Sequence, residues 1–189
     1  MAMFGTLLGI IGGGVAGLIG APQYVSGTIT LGNTSNTITI TSVTTADTIV
    51  FFNGISGFAG TPGNDCVRWE LTNATTITIT RGSGAASSIT VNLIVATFTP
   101  GFIVSKEATQ CTPTAGSSAT DSITSVNTAR AIIVPQGASG TSTSSSSTSG
   151  CAGLAVVWAL NSATQTQATV GSEWGSGTVT CNALVVVTA

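Results

Sequence analysis

Few side chains in this 189-residue chain could do chemistry: four Lys+Arg, six Asp+Glu, four Cys and no His. Without His a Ser-His-Asp triad is impossible, and the commonest general base and metal ligand is missing. Asp47, Asp65, Glu70, Asp121 and Glu173 stand one at a time. Glycoside hydrolysis needs two convergent carboxylates, so these read as isolated surface acids. Lys106, the only lysine, adjoins Glu107 and reads as half of a solvated pair rather than as a base for a nearby serine. Gly12-Gly13-Gly14 has no Lys-Ser/Thr after it and is no phosphate loop. Asn64 and Asp65 lack the ligand density of a calcium loop. A net charge of −2 with four basic residues offers no surface for counterion release, which excludes nucleic-acid binding. The expectation is a chain with no catalysis, cofactor, metal or nucleic acid.

Cys66, Cys111, Cys151 and Cys181 are spaced 45, 40 and 30 residues apart, which matches no zinc pattern. An even count in a Ser/Thr-rich β chain suggests disulfides in an extracellular or virion setting. Buried free thiols are the other reading, and three pairings stay open. Cys181 aligns with Val91, a position expected to face the core. Arg68, Glu70 and Arg81 form the one charge cluster, expected as an outward ion-pair ladder across neighbouring strands. Trp69 and Trp158 fall on the inward parity of matched strands and are expected as core anchors. Trp174, in a Gly/Ser turn, is the candidate exposed contact.

These residues are positioned by a stretch that occurs twice. Residues 40–57 and 123–140 align without a gap at an offset of 83, with 10 of 18 positions identical. Residues 67–75 then match 156–164 at an offset of 89, and 89–95 match 179–185 at an offset of 90. This is an internal duplication. Two copies are too few for a solenoid, so two tandem domains are expected. Within each copy, Thr/Ile alternation such as Thr76-Ile77-Thr78-Ile79-Thr80 marks half-buried strands. About six short strands per copy predict an all-β fold of two antiparallel sandwich-like domains, jelly-roll or Ig-like. Gly32-Asn33 and Asn53-Gly54 are expected as turns. The second copy replaces Arg68, Glu70 and Arg81 with Val157, Ala159 and Val170, so its outer face is expected to pack against something. Its last strand, residues 183–187, is apolar on both faces and is expected to be covered on both sides.

The expected organisation is an arm over 1–26, a β domain over 27–99, a linker over 100–110 and a second β domain over 111–189. Gly5, Gly9, Gly13 and Gly17 recur every fourth residue in the uncharged first 21 residues and would line one helix face. A segment so rich in glycine needs a partner to be ordered as a helix. An assembly arm that meets protein is the favoured reading. A membrane helix follows it, and a cleaved signal comes last because no basic residues precede the apolar run. Only 5% of residues are charged, so much of the surface is expected to be covered in an assembly.

Residues 67–82, preceded by Ile49-Val50-Phe51-Phe52-Asn53-Gly54 and followed by Ile89-Thr90-Val91-Asn92-Leu93-Ile94-Val95, resemble small Thr/Val-rich β domains of tailed-bacteriophage virion structural proteins. The resemblance covers about residues 27–98 and, more faintly, 120–187. It implies a capsid decoration, neck or fibre component with no catalytic residues to carry over. The chain would meet copies of itself, plausibly as a trimer, and other virion proteins such as capsid or tail. An extracellular filament subunit and a receptor- or glycan-binding adhesin are the alternatives.

Overall fold

The computed structural model describes residues 19–57, 66–82, 87–140, 156–171 and 177–189. It is all-β, and the described residues contain no α-helix. The first half supplies β1 (Gln23–Ile29), β2 (Ser35–Thr39), β3 (Thr48–Ser56), β4 (Val67–Asn73), β5 (Thr76–Arg81) and β6 (Ile89–Thr97). The second supplies β7 (Ile103–Cys111), β8 (Ser118–Ser122), β9 (Ala131–Gly140), β10 (Val156–Ser162), β11 (Gln165–Val170) and β12 (Val179–Thr188). A single 3-10 turn, Thr45–Asp47, precedes β3.

Alternation explains the strands. In β5 the side chains of Ile77, Ile79 and Arg81 point inward and are buried, while Thr76, Thr78 and Thr80 are half-buried on the other face. Gly32 turns the chain at φ +82, with Asn33 N–H donating to the Thr30 carbonyl at 3.0 Å. Two expectations fail. Residues 100–110 are not a linker: Thr99-Pro100-Gly101-Phe102 is a tight turn closed by Phe102 N–H to the Thr99 carbonyl at 3.0 Å, and β7 starts at once. Pro at the second position and Gly101 at φ +85 are what a type II turn requires. Asn53-Gly54 is not a hairpin either. β3 runs through it to Ser56, and the register against β6 shifts between Phe52 and Gly54 as a bulge.

The sheet orders are β1-β6-β3, β10-β11-β8 and β2-β5-β4-β9-β12-β7. The second half therefore repeats the pairings of the first, with β9-β12-β7 matching β3-β6-β1 and β8-β11-β10 matching β2-β5-β4. The match extends to single bonds. Ile40 N–H to Thr75 O and Val43 N–H to Ala74 O (both 2.9 Å) recur as Ile123 N–H to Thr164 O (3.0 Å) and Val126 N–H to Ala163 O (2.9 Å). Gln23 accepts the Thr41 N–H at 2.8 Å, and the matched Glu107 accepts the Thr124 N–H at 2.8 Å.

Three apolar clusters hold these layers. The first, between β1-β6-β3 and β2-β5-β4, contains Ile29, Ile77, Ile79, Ile89 and Leu93, all fully buried. Burying each such side chain contributes roughly 1.5–3 kcal/mol. The core of the second half is built from smaller groups, Cys111, Ala138, Ala168, Val170, Val179 and Cys181, and Cys66 of the first half joins it. A third cluster, with Ile49 from β3 and Ile103, Val134 and Val186 from the second half, lies between the two. β12 runs between β9 and β7, and Ala183, Val185, Val186 and Val187 are buried, as the apolar run predicts.

Candidate functional site

Among the described residues, a group of polar contacts lies where the halves meet. β4 joins β9 at one bridge, Arg68 to Gly137. Gly137 has φ +80, and a Cβ there would stand 2.2 Å from the Val67 carbonyl oxygen and 2.7 Å from Cζ3 of Trp69. Only glycine lets β9 come this close. A Cβ on Gly82 would likewise meet the Gly140 carbonyl oxygen at 1.9 Å. Arg68 Nε donates to Ser139 Oγ at 3.0 Å. The Val50 carbonyl on β3 accepts two donors, Trp69 Nε1 at 3.1 Å and Gln136 Nε2 at 3.0 Å. Lys106 Nζ, on β7, donates to the Thr48 carbonyl at 2.6 Å and to the Thr45 carbonyl. Burial holds the Lys106 ammonium below its ordinary pKa, and the Asp47 carboxylate partly restores it.

A second polar group lies inside the second half. Thr109 and Thr166 are buried with their hydroxyls 2.6 Å apart, and Thr109 Oγ1 donates to Asp121 Oδ2 at 2.8 Å. The first half carries Val25, Ile77 and Ile38 at the matched positions. Beside this group, Cys111 on β7 stands directly opposite Cys181 on β12, both buried, and Cys66 joins the same cluster. The expectation of disulfides fails here: among the described residues no disulfide forms, and Cys111 and Cys181 carry free thiols. Burial pushes the Cys111 thiol up, with Asp121 adding to the effect, and pushes Cys181 up to about 12, with Cys111 adding to it. A thiol held protonated is a poor nucleophile and exchanges slowly.

Two outcomes follow for these thiols. In native protein at pH 8, Cys111 and Cys181 should stay unmodified by a maleimide that labels them promptly in denaturant; prompt native labelling would contradict their burial. Their pKa values are raised on folding, so the stability they contribute is fully present below about 9, the ordinary thiol value, and is lost as pH rises through the folded values, about 12 for Cys181. Cys181→Val, which installs the residue of the matched Val91, should flatten the fall in stability across that window in urea titrations.

The other expected residues fall as follows. Trp69 is a core anchor, stacked on Phe52 at 5.4 Å. Trp158 is only half-buried. Arg68 and Glu70 share the outer face of β4, but Arg81 does not complete a ladder there. It faces inward opposite Val67, 2% exposed, and donates to the carbonyls of Asn33 (2.8 Å), Ser87 (2.7 Å) and Thr30 (2.9 Å). Its parity with Ile77 and Ile79 was the signal that places it inside. Of the residues replacing the cluster in the second half, Val157 and Ala159 are exposed and Val170 is buried. Gly5, Gly9, Gly13, Gly17, Cys151 and Trp174 lie outside the described residues. Among the described residues no helix is long and apolar enough to cross a membrane, and no three His, Cys, Asp or Glu side chains gather as a metal-binding group. No protein-family model, curated protein or solved structure matches this chain.

Proposed function

We propose that the chain is a non-enzymatic structural subunit of a virion, a capsid decoration, neck or fibre component of a tailed bacteriophage. Two tandem β-sandwich-like domains derived from one duplicated unit form its body, and the glycine-rich N-terminal arm anchors it to its neighbours. The observation that carries this reading is where the charged groups are used. Arg68, Arg81, Lys106, Glu107 and Asp121 all bond to the protein's own strands, turns and loops. The described surface is left mainly to hydroxyls, amides and scattered apolar side chains. Such a surface suits burial against neighbouring subunits better than turnover of a small molecule. The virion placement itself rests on the resemblance of residues 27–98.

The test is the mass of the purified full-length chain by light scattering, with negative-stain images of the same sample. One discrete multi-chain species supports the proposal. Open-ended polymers would move the chain to the filament reading, and a monomer at every concentration would overturn the assembly role.

A further inference from the structure

Every sheet formed by the described residues is open, which leaves six edges among them: β1, β3, β10, β8, β2 and β7. An unpaired edge presents free N–H and C=O groups and invites another strand unless it is blocked. Five of the six are blocked from within. β1 and β2 are sealed to each other by the Gln23 side chain, which donates to the Thr41 carbonyl and accepts its N–H, and by Asn36 Nδ2 donating to the Thr28 carbonyl at 2.7 Å. β7 and β8 are sealed in the same place of the second half: Asp121 accepts the Gln110 N–H at 2.9 Å, and Glu107 accepts the Thr124 N–H. β3 gives its Val50 carbonyl to Trp69 and Gln136 and its Thr48 carbonyl to Lys106.

β10 is the exception among the described residues. Its regular part, Val156-Val157-Trp158-Ala159-Leu160, carries no charge, no proline and no side-chain seal before the bulge at Leu160/Ser162. The matched strand of the first half is protected twice over. β4 carries Arg68 and Glu70, and β9 lies along it at Gly137, covering Trp69 to 6% exposure. In β10 the charges are replaced by Val157 and Ala159, Val157 is 61% exposed, and Trp158 is half-buried. The chain itself thus shows what this strand position accepts: an extended strand on its free edge.

We infer that β10 is the contact through which two copies of this chain pair, edge to edge and antiparallel about a two-fold axis, joining their β8-β11-β10 sheets into one six-stranded sheet. A second copy is the fitting occupant because an uncharged strand can meet itself across a two-fold axis with no like charges opposed. Among the described residues, β10 is also the one edge left open in each copy. The inference rests on the assembly role proposed above, not on the virion setting.

The test compares full-length wild-type protein with Ala159→Lys and, as control, Thr37→Lys on the outer face of the sealed strand β2. Wild-type assemblies should contain an even number of chains, and Ala159→Lys should halve their mass while Thr37→Lys leaves it unchanged. Hydrogen exchange on the unmodified protein guards against a variant that fails to fold: β10 amides should exchange at least tenfold more slowly in the assembled than in the diluted sample, and β2 amides should not change. A wild-type monomer at all concentrations would sink the assembly role and this contact together. An odd-numbered assembly, an unchanged mass for folded Ala159→Lys, or concentration-independent exchange in β10 would overturn the contact alone.

Discussion

Gly137→Ala should destabilise the protein far more than Gly54→Ala, although the two glycines occupy matched places in the duplicated stretch. Both have positive φ, +80 and +146, so each alanine carries a backbone strain of about 1–3 kcal/mol. The surroundings differ. A Cβ on Gly54 meets nothing within 4 Å, whereas one on Gly137 overlaps the backbone of Val67 and Arg68 and the ring of Trp69. Backbone cannot swing aside as a long side chain can, so overpacking adds about 1–3 kcal/mol or more. A total of about 2–6 kcal/mol is a large part of the roughly 5–15 kcal/mol that holds an ordinary domain folded. Urea midpoints of the two variants measure the difference directly. Equal midpoints would mean that the close approach of β9 to β4 contributes nothing.

The second large effect is expected at Arg81. Its guanidinium is the donor for the carbonyls of Thr30, Asn33 and Ser87, which lie around the turn after β1 and the approach to β6. Arg81→Met keeps much of the side-chain stem and removes the donors. Each buried carbonyl left without its donor costs about 1–3 kcal/mol, because it has lost its hydration for nothing in return. Arg81→Val, which copies the matched Val170, should be no milder, since valine supplies no donor. A loss below about 1 kcal/mol for Arg81→Met would show that water replaces the guanidinium, against its burial. The loss should also be insensitive to salt, because screening acts weakly on buried groups.

Much of the fold was legible because its strands alternate. Thr76–Thr80 and Thr37–Ile40 announce themselves by period, and the repeated stretch announces that the second half pairs like the first. The errors share a cause. Ile103–Cys111 carries Lys106 and Glu107 and no clean alternation, so it reads as a linker; yet those two side chains bind Thr48 and Thr124, contacts 58 and 17 residues away. Asn53-Gly54 has hairpin composition, but the β6 ladder continues past it and reduces it to a bulge. The charge of Arg81 suggests the surface, but its parity with Ile79 places it inside. The facing of Cys111 and Cys181 is set by β7–β12 register, which no local pattern encodes.

The Val50 carbonyl, shared by Trp69 of one half and Gln136 of the other, ties the melting of the two halves together. If either half came apart alone, the survivor would face water with Ile49 or with Val134 and Val186, and that carbonyl would lose a donor. Two similar units arranged in series would give two heat-absorption peaks, or one broad one. This chain should give a single narrow peak whose van't Hoff and calorimetric enthalpies agree.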